Sequence, residues 1–325
     1  MDGLKARAVA HTMEGLVKYH GLRDWSLRLP YHDSISVNLD AFTTTTEVEF
    51  GDFGQDTAFI DNMAVTGREF ERIRQVVDHV RRLANISDNF RVVSFNSIPK
   101  GRFKGLGFSS SAGAALAAAA YKASGLDSVQ GWDMRLVSRI ARRLAGSACR
   151  SVVGNYARWY AGNSDEDSYA VSFAYEKNLP LKVVVVPLGS RYSTEDAHRE
   201  AELSTFFEAR IKNASARCDV MEKAIKEGDF KTFGELKELD TIELHAVTAT
   251  GPRRLIIAAP ESLKIVSEVR RLREEEGVEC YFSMQTGPTV FINTHPEDSR
   301  YVYSRVEDLG FTPYLSGVGG PVRVE

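Results

Sequence analysis

Residues 105–113 read Gly105-Leu106-Gly107-Phe108-Ser109-Ser110-Ser111-Ala112-Gly113, with Lys104 directly before them. Glycines let the backbone come close to a ligand, and three successive hydroxyls crowd a single turn. The alanine-rich run 114–120 that follows has the composition of a helix. A helix start leaves unpaired N–H groups at the positive end of its dipole. The chemistry this suits is the capture of an anion, above all a phosphate, so Gly105, Gly107, Ser109, Ser110 and Ser111 form a candidate phosphate loop. It is not a Walker A loop, because no Gly-Lys-Ser/Thr triplet stands at the right spacing. The same letters also read as a serine cap on a buried helix that stops at Gly125, and the residues alone leave both readings open.

The elements that must hold such a loop are strands and helices in mixture. A strand pattern over 90–97 leads into it, and a second helical stretch over 132–144 follows. Upstream, strands are expected over 6–10, 34–39 and 43–50, and a helix from Phe70 to Ile86 carries Arg72 and Arg74 between its apolar positions. Downstream, 181–187 reads as a buried strand. Helical patterns cover 200–226, 230–239 and 261–276, strands fit 279–283 and 289–293, and a short helix fits 299–309. This is an α+β or α/β enzyme-like chain, divided near residue 182 into 1–182 and 183–325.

Composition removes several classes. A net charge of −3 over 325 residues gives no field for nucleic acid or an anionic membrane. No apolar run reaches the ~18 residues of a membrane span, and the first residues lack the apolar core of a signal peptide. Three scattered cysteines suggest neither a disulfide framework nor a metal site, so a reducing cytoplasm is expected.

Several segments, in order, resemble the mevalonate diphosphate decarboxylase family of the GHMP kinase superfamily. The run Val17-Lys18-Tyr19-His20-Gly21-Leu22-Arg23-Asp24 is similar to the family's K-Y-W-G-K-R-D, and Leu29 to Val37 to its L-P-x-N-x-S-x-S-V. Gly105 to Ala112 resembles the superfamily's phosphate loop. Gly146-Ser147-Ala148-Cys149-Arg150-Ser151 matches the G-S-A-C-R-S segment, with Trp159 beyond it. Ser193-Thr194-Glu195 falls at the second serine-rich substrate loop, His245-Ala246 at an H-A on a C-terminal helix, and Gly287-Pro288 inside D-A-G-P-N. The resemblance spans residues 17 to 290. It implies a two-domain GHMP kinase-like fold, with an N-terminal domain of the ribosomal protein S5 domain 2 type and a ferredoxin-like C-terminal domain. The site would lie between them, and a homodimer is expected. Family members phosphorylate the 3-hydroxyl of a mevalonate phosphate with ATP, then eliminate phosphate and carbon dioxide.

The departures carry the functional expectation. The position of the family's catalytic aspartate holds Gln285, which cannot accept a proton near neutral pH. A general base supplies a factor of ~10²–10⁴. The second lysine of K-Y-W-G-K is Leu22, its tryptophan is His20, and the A-P-x-N before it reads Ala10-His11-Thr12-Met13. Positions for gripping substrate persist: Tyr19, Asp24, Ser147, Ser193 and Thr194, together with Arg150, Ser110 and the altered Gln285 as catalytic candidates. Arg72 and Arg74 are candidates for a substrate phosphate, with His20 beside the chemistry. The expectation is an ATP-independent lyase acting on mevalonate 3,5-bisphosphate, like the archaeal bisphosphomevalonate decarboxylases, with no metal. ATP and magnesium enter only in the alternative, an ATP-dependent phosphomevalonate or diphosphomevalonate decarboxylase. A mevalonate 3-kinase and a non-catalytic GHMP-fold binding protein follow. Plainer roles stand beside these: Arg72 and Arg74 on a solvated helix face, His20 and His245 packed, Ser193 as a helix cap.

Overall fold

The computed structural model describes residues 4–98 and 105–325. The first half runs β1 (Lys5–Val17), β2 (Leu22–Asp24), β3 (Leu29–Pro30), β4 (Ser34–Gly51), β5 (Thr57–Ile60), β6 (Met63–Ala64), α1 (Gly67–Ala84), β7 (Asn89–Asn96), α2 (Phe108–Ala123), α3 (Leu126–Gln130), α4 (Met134–Arg142), α5 (Ala148–Val153), β8 (Tyr156–Trp159) and β9 (Ala170–Ala174). The second runs β10 (Lys182–Val186), α6 (Thr194–Glu202), α7 (Phe207–Glu227), α8 (Phe230–Ala249), α9 (Pro260–Glu276), β11 (Cys280–Met284), β12 (Val290–Thr294), α10 (Ser299–Asp308), β13 (Tyr314–Ser316) and β14 (Arg323–Val324).

One large sheet is ordered β14-β1-β4-β7-β5-β6, with β8 also on β4 and β9 on β8; a second is ordered β11-β12-β10-β13. The chain changes sheet between β9 and β10, but its last strand returns to pair with β1, Ala8 opposite Val324. A cut at 182 therefore leaves β14 on the far side of the sheet it belongs to.

Where sequence and structure differ, burial explains it. β1 alternates only as far as His11; from Thr12 to Val17 both faces are covered, so no period of two marks the continuation. The two expected runs 34–39 and 43–50 are one strand. Its pairing with β1 slips between His11 and Thr12, from partner Thr43 to partner Leu39, and the extra residues 40–42 are bridged by Asp40, whose Oδ1 accepts from Gly317 N at 2.7 Å. The single helix expected over 200–226 is broken. Ser193 and Asp196 form a capping box that starts α6 early, and Ser204 interrupts the run, its Oγ accepting from Phe206 N at 3.1 Å. β8 and β9 carried no clear signal, being only four and five residues long and without a clean alternation of buried and exposed positions.

Helix α2 is covered on nearly every side and packs on β1 and β4 and against α4 and α5. That environment needs small residues. A side chain on Gly113 would place its Cβ 2.6 Å from Ala148 Cβ on α5 and 3.2 Å from Ala141 O on α4. Neither atom is the end of a flexible side chain. Gly113→Ala gains roughly 0.5–1 kcal/mol of helix propensity but meets an overpacking cost of about 1–3 kcal/mol. The expected outcome is a lower urea midpoint with unchanged slope. A midpoint at or above wild type would mean that α2 and α5 can separate freely.

Candidate active site

A cleft of about 600 Å³ opens where the end of β1, the loop into α2, the start of α6 and the β11–β12 turn converge. The loop folds as its glycines dictate. Gly105 has φ 90° and Gly107 has φ 81°, both in the left-handed region. Any side chain at Gly105 would sit 2.9 Å from Thr289 Oγ1, and at Gly107 3.0 Å from the carbonyl of Met13. Gly107 is the N-cap of α2 and no side chain caps that end, so the serine-cap reading does not apply. The first turn faces the cleft with Ser109 and Ser110, and Ser110 Oγ donates to Ser147 Oγ at 2.6 Å. Ser111 does not belong with them. It is fully buried, with its hydroxyl 2.6 Å from Thr44 Oγ1 and 3.2 Å from the carbonyl of Phe108, and it anchors α2 to β4. Lys104 lies outside the described residues.

Five cations stand in or behind the cleft wall, Lys18, Arg28, Arg68, Arg72 and Arg150. Lys18, at the end of β1, lines the cleft. Burial, and then repulsion by Arg150, lower its pKa from 10.5 to about 7 against the pull of Asp240. Arg150 is 1% exposed. Its guanidinium lies 5.8 Å from the Tyr19 ring centroid and 5.9 Å from that of Trp159, and its Nε and Nη1 meet no partner. It stands behind the wall that Tyr19 forms rather than in the wall itself. Arg72 also lines the cleft, oriented by donation to the carbonyl of Leu144.

Other expected residues are placed elsewhere. Arg74 projects from the exposed side of α1 and pairs with Glu71 at 2.6 Å, so the solvated-face reading holds for it. Asp24 lies off the cleft and organises a turn: its Oδ1 accepts from Ser26 N, Ser26 Oγ and Leu27 N, each at 2.8 Å. The hydrogen bond from Leu27 N, then those from Ser26, hold its carboxyl below the usual range. His20 is fully buried behind the wall, its Nε2 3.3 Å from Thr248 Oγ1. It packs, and does not reach the cleft.

Ser193 caps α6, its Oγ accepting from Asp196 N at 3.1 Å, and both it and Thr194 line the cleft, with Thr286 Oγ1 donating to Thr194 Oγ1 at 3.0 Å. Across the mouth, Arg68 of α1 pairs with Glu195 of α6. Gln285 is held on two sides. Its Nε2 donates to the carbonyl of Gly15 at 2.9 Å, and its own carbonyl lies 3.0 Å from His245 Nε2. Its Oε1 is buried without a partner. An amide so placed can accept a hydrogen bond but not a proton. Among the described residues no group of three or more His, Cys, Asp or Glu is placed to hold a metal, and no helix is long and apolar enough to cross a membrane.

Lys18, Arg28 and Arg68 line the cleft yet were not singled out in the sequence. Lys18 lay inside the K-Y-W-G-K resemblance, which was the available signal; nothing local marked the other two. Lys18 also generates a test. Below a pH of about 7 its ammonium forms in the free protein, and above that pH binding an anion must first take up a proton. Affinity for a phosphorylated ligand is therefore expected to fall as pH rises from 7 to 9, by at most about tenfold per unit. Lys18→Met should flatten that slope. Isothermal titration in buffers of different ionisation enthalpy checks it, and a pH-independent wild-type affinity would contradict the assigned titration.

The N-terminal part, residues 10–170, matches the model of the diphosphomevalonate decarboxylase-like N-terminal domain, and residues 187–313 match that of the mevalonate 5-diphosphate decarboxylase C-terminal domain. A phosphomevalonate decarboxylase of Haloferax volcanii is 41% identical over 99% of this chain and 98% of its own. Among solved structures, mevalonate diphosphate decarboxylase from Staphylococcus aureus superposes with a TM-score of 0.90 at 30% identity, covering 99% of this chain and 98% of that one. The Enterococcus faecalis enzyme, described in terms of its mevalonate diphosphate-mediated ATP binding, gives 0.89 at 29% with the same coverage. The chain, an α+β protein of the GHMP kinase-like fold, thus belongs to the diphosphomevalonate decarboxylase-like family of carboxy-lyases.

Proposed function

We propose that this enzyme of the mevalonate pathway decarboxylates a phosphorylated mevalonate, and that its substrate is mevalonate 3,5-bisphosphate, used without ATP. The observation that carries the reading is Gln285. At the position where the family resemblance places a carboxylate base stands an amide locked to the Gly15 carbonyl, with Lys18 beside that same glycine. Leu22, in place of a second lysine, is 2% exposed and packed in the core, its backbone N–H donating to Glu202. An enzyme that receives its 3-phosphate already attached needs neither group.

The elimination balances without a co-reactant. The C1–C2 bond breaks and releases carbon dioxide, its electron pair forms the C2=C3 bond, and the C3–O bond breaks with its pair leaving on inorganic phosphate. Isopentenyl phosphate remains. Negative charge thus flows from the carboxylate to the departing phosphate, so a cation assists only if it favours the second more than the first. The open first turn of α2, Ser109 and Ser110 suit the leaving phosphate, with Lys18 close by and Arg150 adding positive potential through the Tyr19 wall.

A second reading, the ATP-dependent phosphomevalonate or diphosphomevalonate decarboxylase, is favoured by one observation. Lys18, with a pKa near 7 and its Cβ beside the same Gly15 that Gln285 touches, is able to take the hydroxyl proton that Gln285 cannot. Glycine-loop backbone N–H groups fit a nucleotide phosphate as well as a substrate one, and magnesium would enter with the nucleotide.

Incubation with mevalonate 3,5-bisphosphate, and separately with mevalonate 5-phosphate or 5-diphosphate plus ATP and magnesium, separates the two. Release of carbon dioxide and inorganic phosphate from the bisphosphate alone is the expected result. Strict dependence on ATP with the singly substituted substrates would replace it with the second reading. Arg150→Ala should lower kcat by roughly 10²–10³-fold, the magnitude typical of a removed charge-stabilising donor. Unchanged turnover would take Arg150 out of the chemistry.

A further inference from the structure

His198, on α6, is 3% exposed, forms part of the cleft wall and has no role in the chemistry above. Its ring is held between two others. It stacks on Tyr19 with centroids 4.8 Å apart and 25° between planes, and His20 meets it edge-on at 5.4 Å and 65°. The backbone N–H of Gly21 donates to its Nδ1 at 3.1 Å. A peptide N–H cannot accept, so Nδ1 carries no proton and the proton of the neutral ring resides on Nε2. That Nε2 is buried and has no partner in the protein. Burial, followed by the charges of Lys18 and Arg28, disfavours a second proton on the ring. His198 is therefore a fixed, neutral donor in the cleft wall, acted on by the positive charges of Lys18 and Arg28, four residues and one helical turn from the cleft-lining Thr194.

We propose that His198 is a substrate-binding residue whose Nε2–H donates a hydrogen bond to an anionic oxygen of the bound phosphorylated acid. The inference rests on the substrate class given under the proposed function. A hydrogen bond to a charged oxygen, held by a ring that cannot rotate, fixes the acid against the wall formed by Tyr19.

Two variants separate binding from architecture. In His198→Asn the side-chain oxygen takes the place of Nδ1 and keeps the Gly21 acceptor, but the donor to the cleft is gone. In His198→Gln the amide nitrogen reaches the place of Nε2 and keeps the donor, while the Gly21 contact is lost. We expect His198→Asn to raise KM for the phosphorylated mevalonate roughly 10- to 100-fold with little change in kcat and a near-wild-type melting temperature. His198→Gln should restore KM to within a few-fold of wild type. A merely structural histidine gives the reverse order, and a His198→Asn KM within about threefold of wild type overturns the proposal. If no mevalonate phosphate is turned over, the functional reading fails, and His198 is then judged by nitrogen NMR of histidine-labelled protein. The protonated nitrogen must be Nε2, and its signal must move on adding inorganic pyrophosphate or unphosphorylated mevalonate. Movement with pyrophosphate assigns the bond to a phosphoryl oxygen, and movement with mevalonate to the carboxylate. A protonated Nδ1, or no movement with either, overturns it.

Discussion

Segment 14–22, which lines or backs the cleft, belongs by sequence to the first half of the chain but is hydrogen-bonded to the second at Glu14, Gly15, Lys18, His20, Gly21 and Leu22. The Glu14 carboxylate accepts from Ser283 Oγ at 2.6 Å and Asn293 Nδ2 at 2.9 Å, with Lys237 Nζ at 3.5 Å. Lys18 N donates to Asp240 Oδ2 at 2.9 Å, and the Lys18 carbonyl accepts from Arg210 at 2.7 Å. Leu22 N donates to Glu202 at 2.7 Å. Asp240 in turn receives Arg210 at 2.6 Å and Arg217 at 2.7 Å. These groups are almost all buried, and stripping one partner from such a set leaves a charge without water or counter-ion, a cost of about 3–5 kcal/mol. The far rim is held by the Arg68–Glu195 pair, whose arginine side chain is 74% exposed, a type of contact worth about 1 kcal/mol or less. One edge of the cleft is thus welded and the other merely latched, and any opening must begin at the latch.

That rigidity bears on the electrostatics. Arg150 is kept charged where water scarcely reaches, with the half-buried Lys18 nearby, which is unfavourable in the free protein. The surrounding framework over-determines their positions, so the penalty is met by packing elsewhere and the pair stays ready for anionic ligands. Deprotonation of an alcohol and expulsion of a phosphate make different demands. The first needs a group that can take up a proton, and the second needs fixed positive potential. The described residues of the cleft are rich in the second and carry one group, Lys18, able to do the first.

The sequence displayed what depends on local chemistry. The phosphate loop was visible because glycines, serines and alanines cluster for reasons that act within ten residues. The helix 67–84 was visible through its periodicity, and the strand 182–186 as a short unbroken run of valines. Hidden were features set by distant partners. The second half of β1 lost its alternation because a helix and a second sheet cover it. Ser111 was indistinguishable from Ser109 and Ser110 until Thr44 was seen beneath it. Arg72 and Arg74 differ by two positions, which on a helix sends them to different sides, and only the packing of α1 says which side faces the cleft. His198 had no signal at all, since its tautomer is fixed by a backbone group 177 positions earlier.

Gly15 and Gln285 form one unit. The side-chain oxygen of Gln285 occupies the volume where a methyl group on residue 15 would stand, 2.6 Å from it, while its nitrogen ties down the carbonyl of that same residue. An aspartate, one methylene shorter, could neither fill that volume nor donate that bond, so an acid at 285 would leave the Gly15 carbonyl without its side-chain donor while the rest of the strand stays paired. The dependence runs one way: while Gln285 is present no side chain fits at residue 15, so Gly15 is the smaller half of a matched pair.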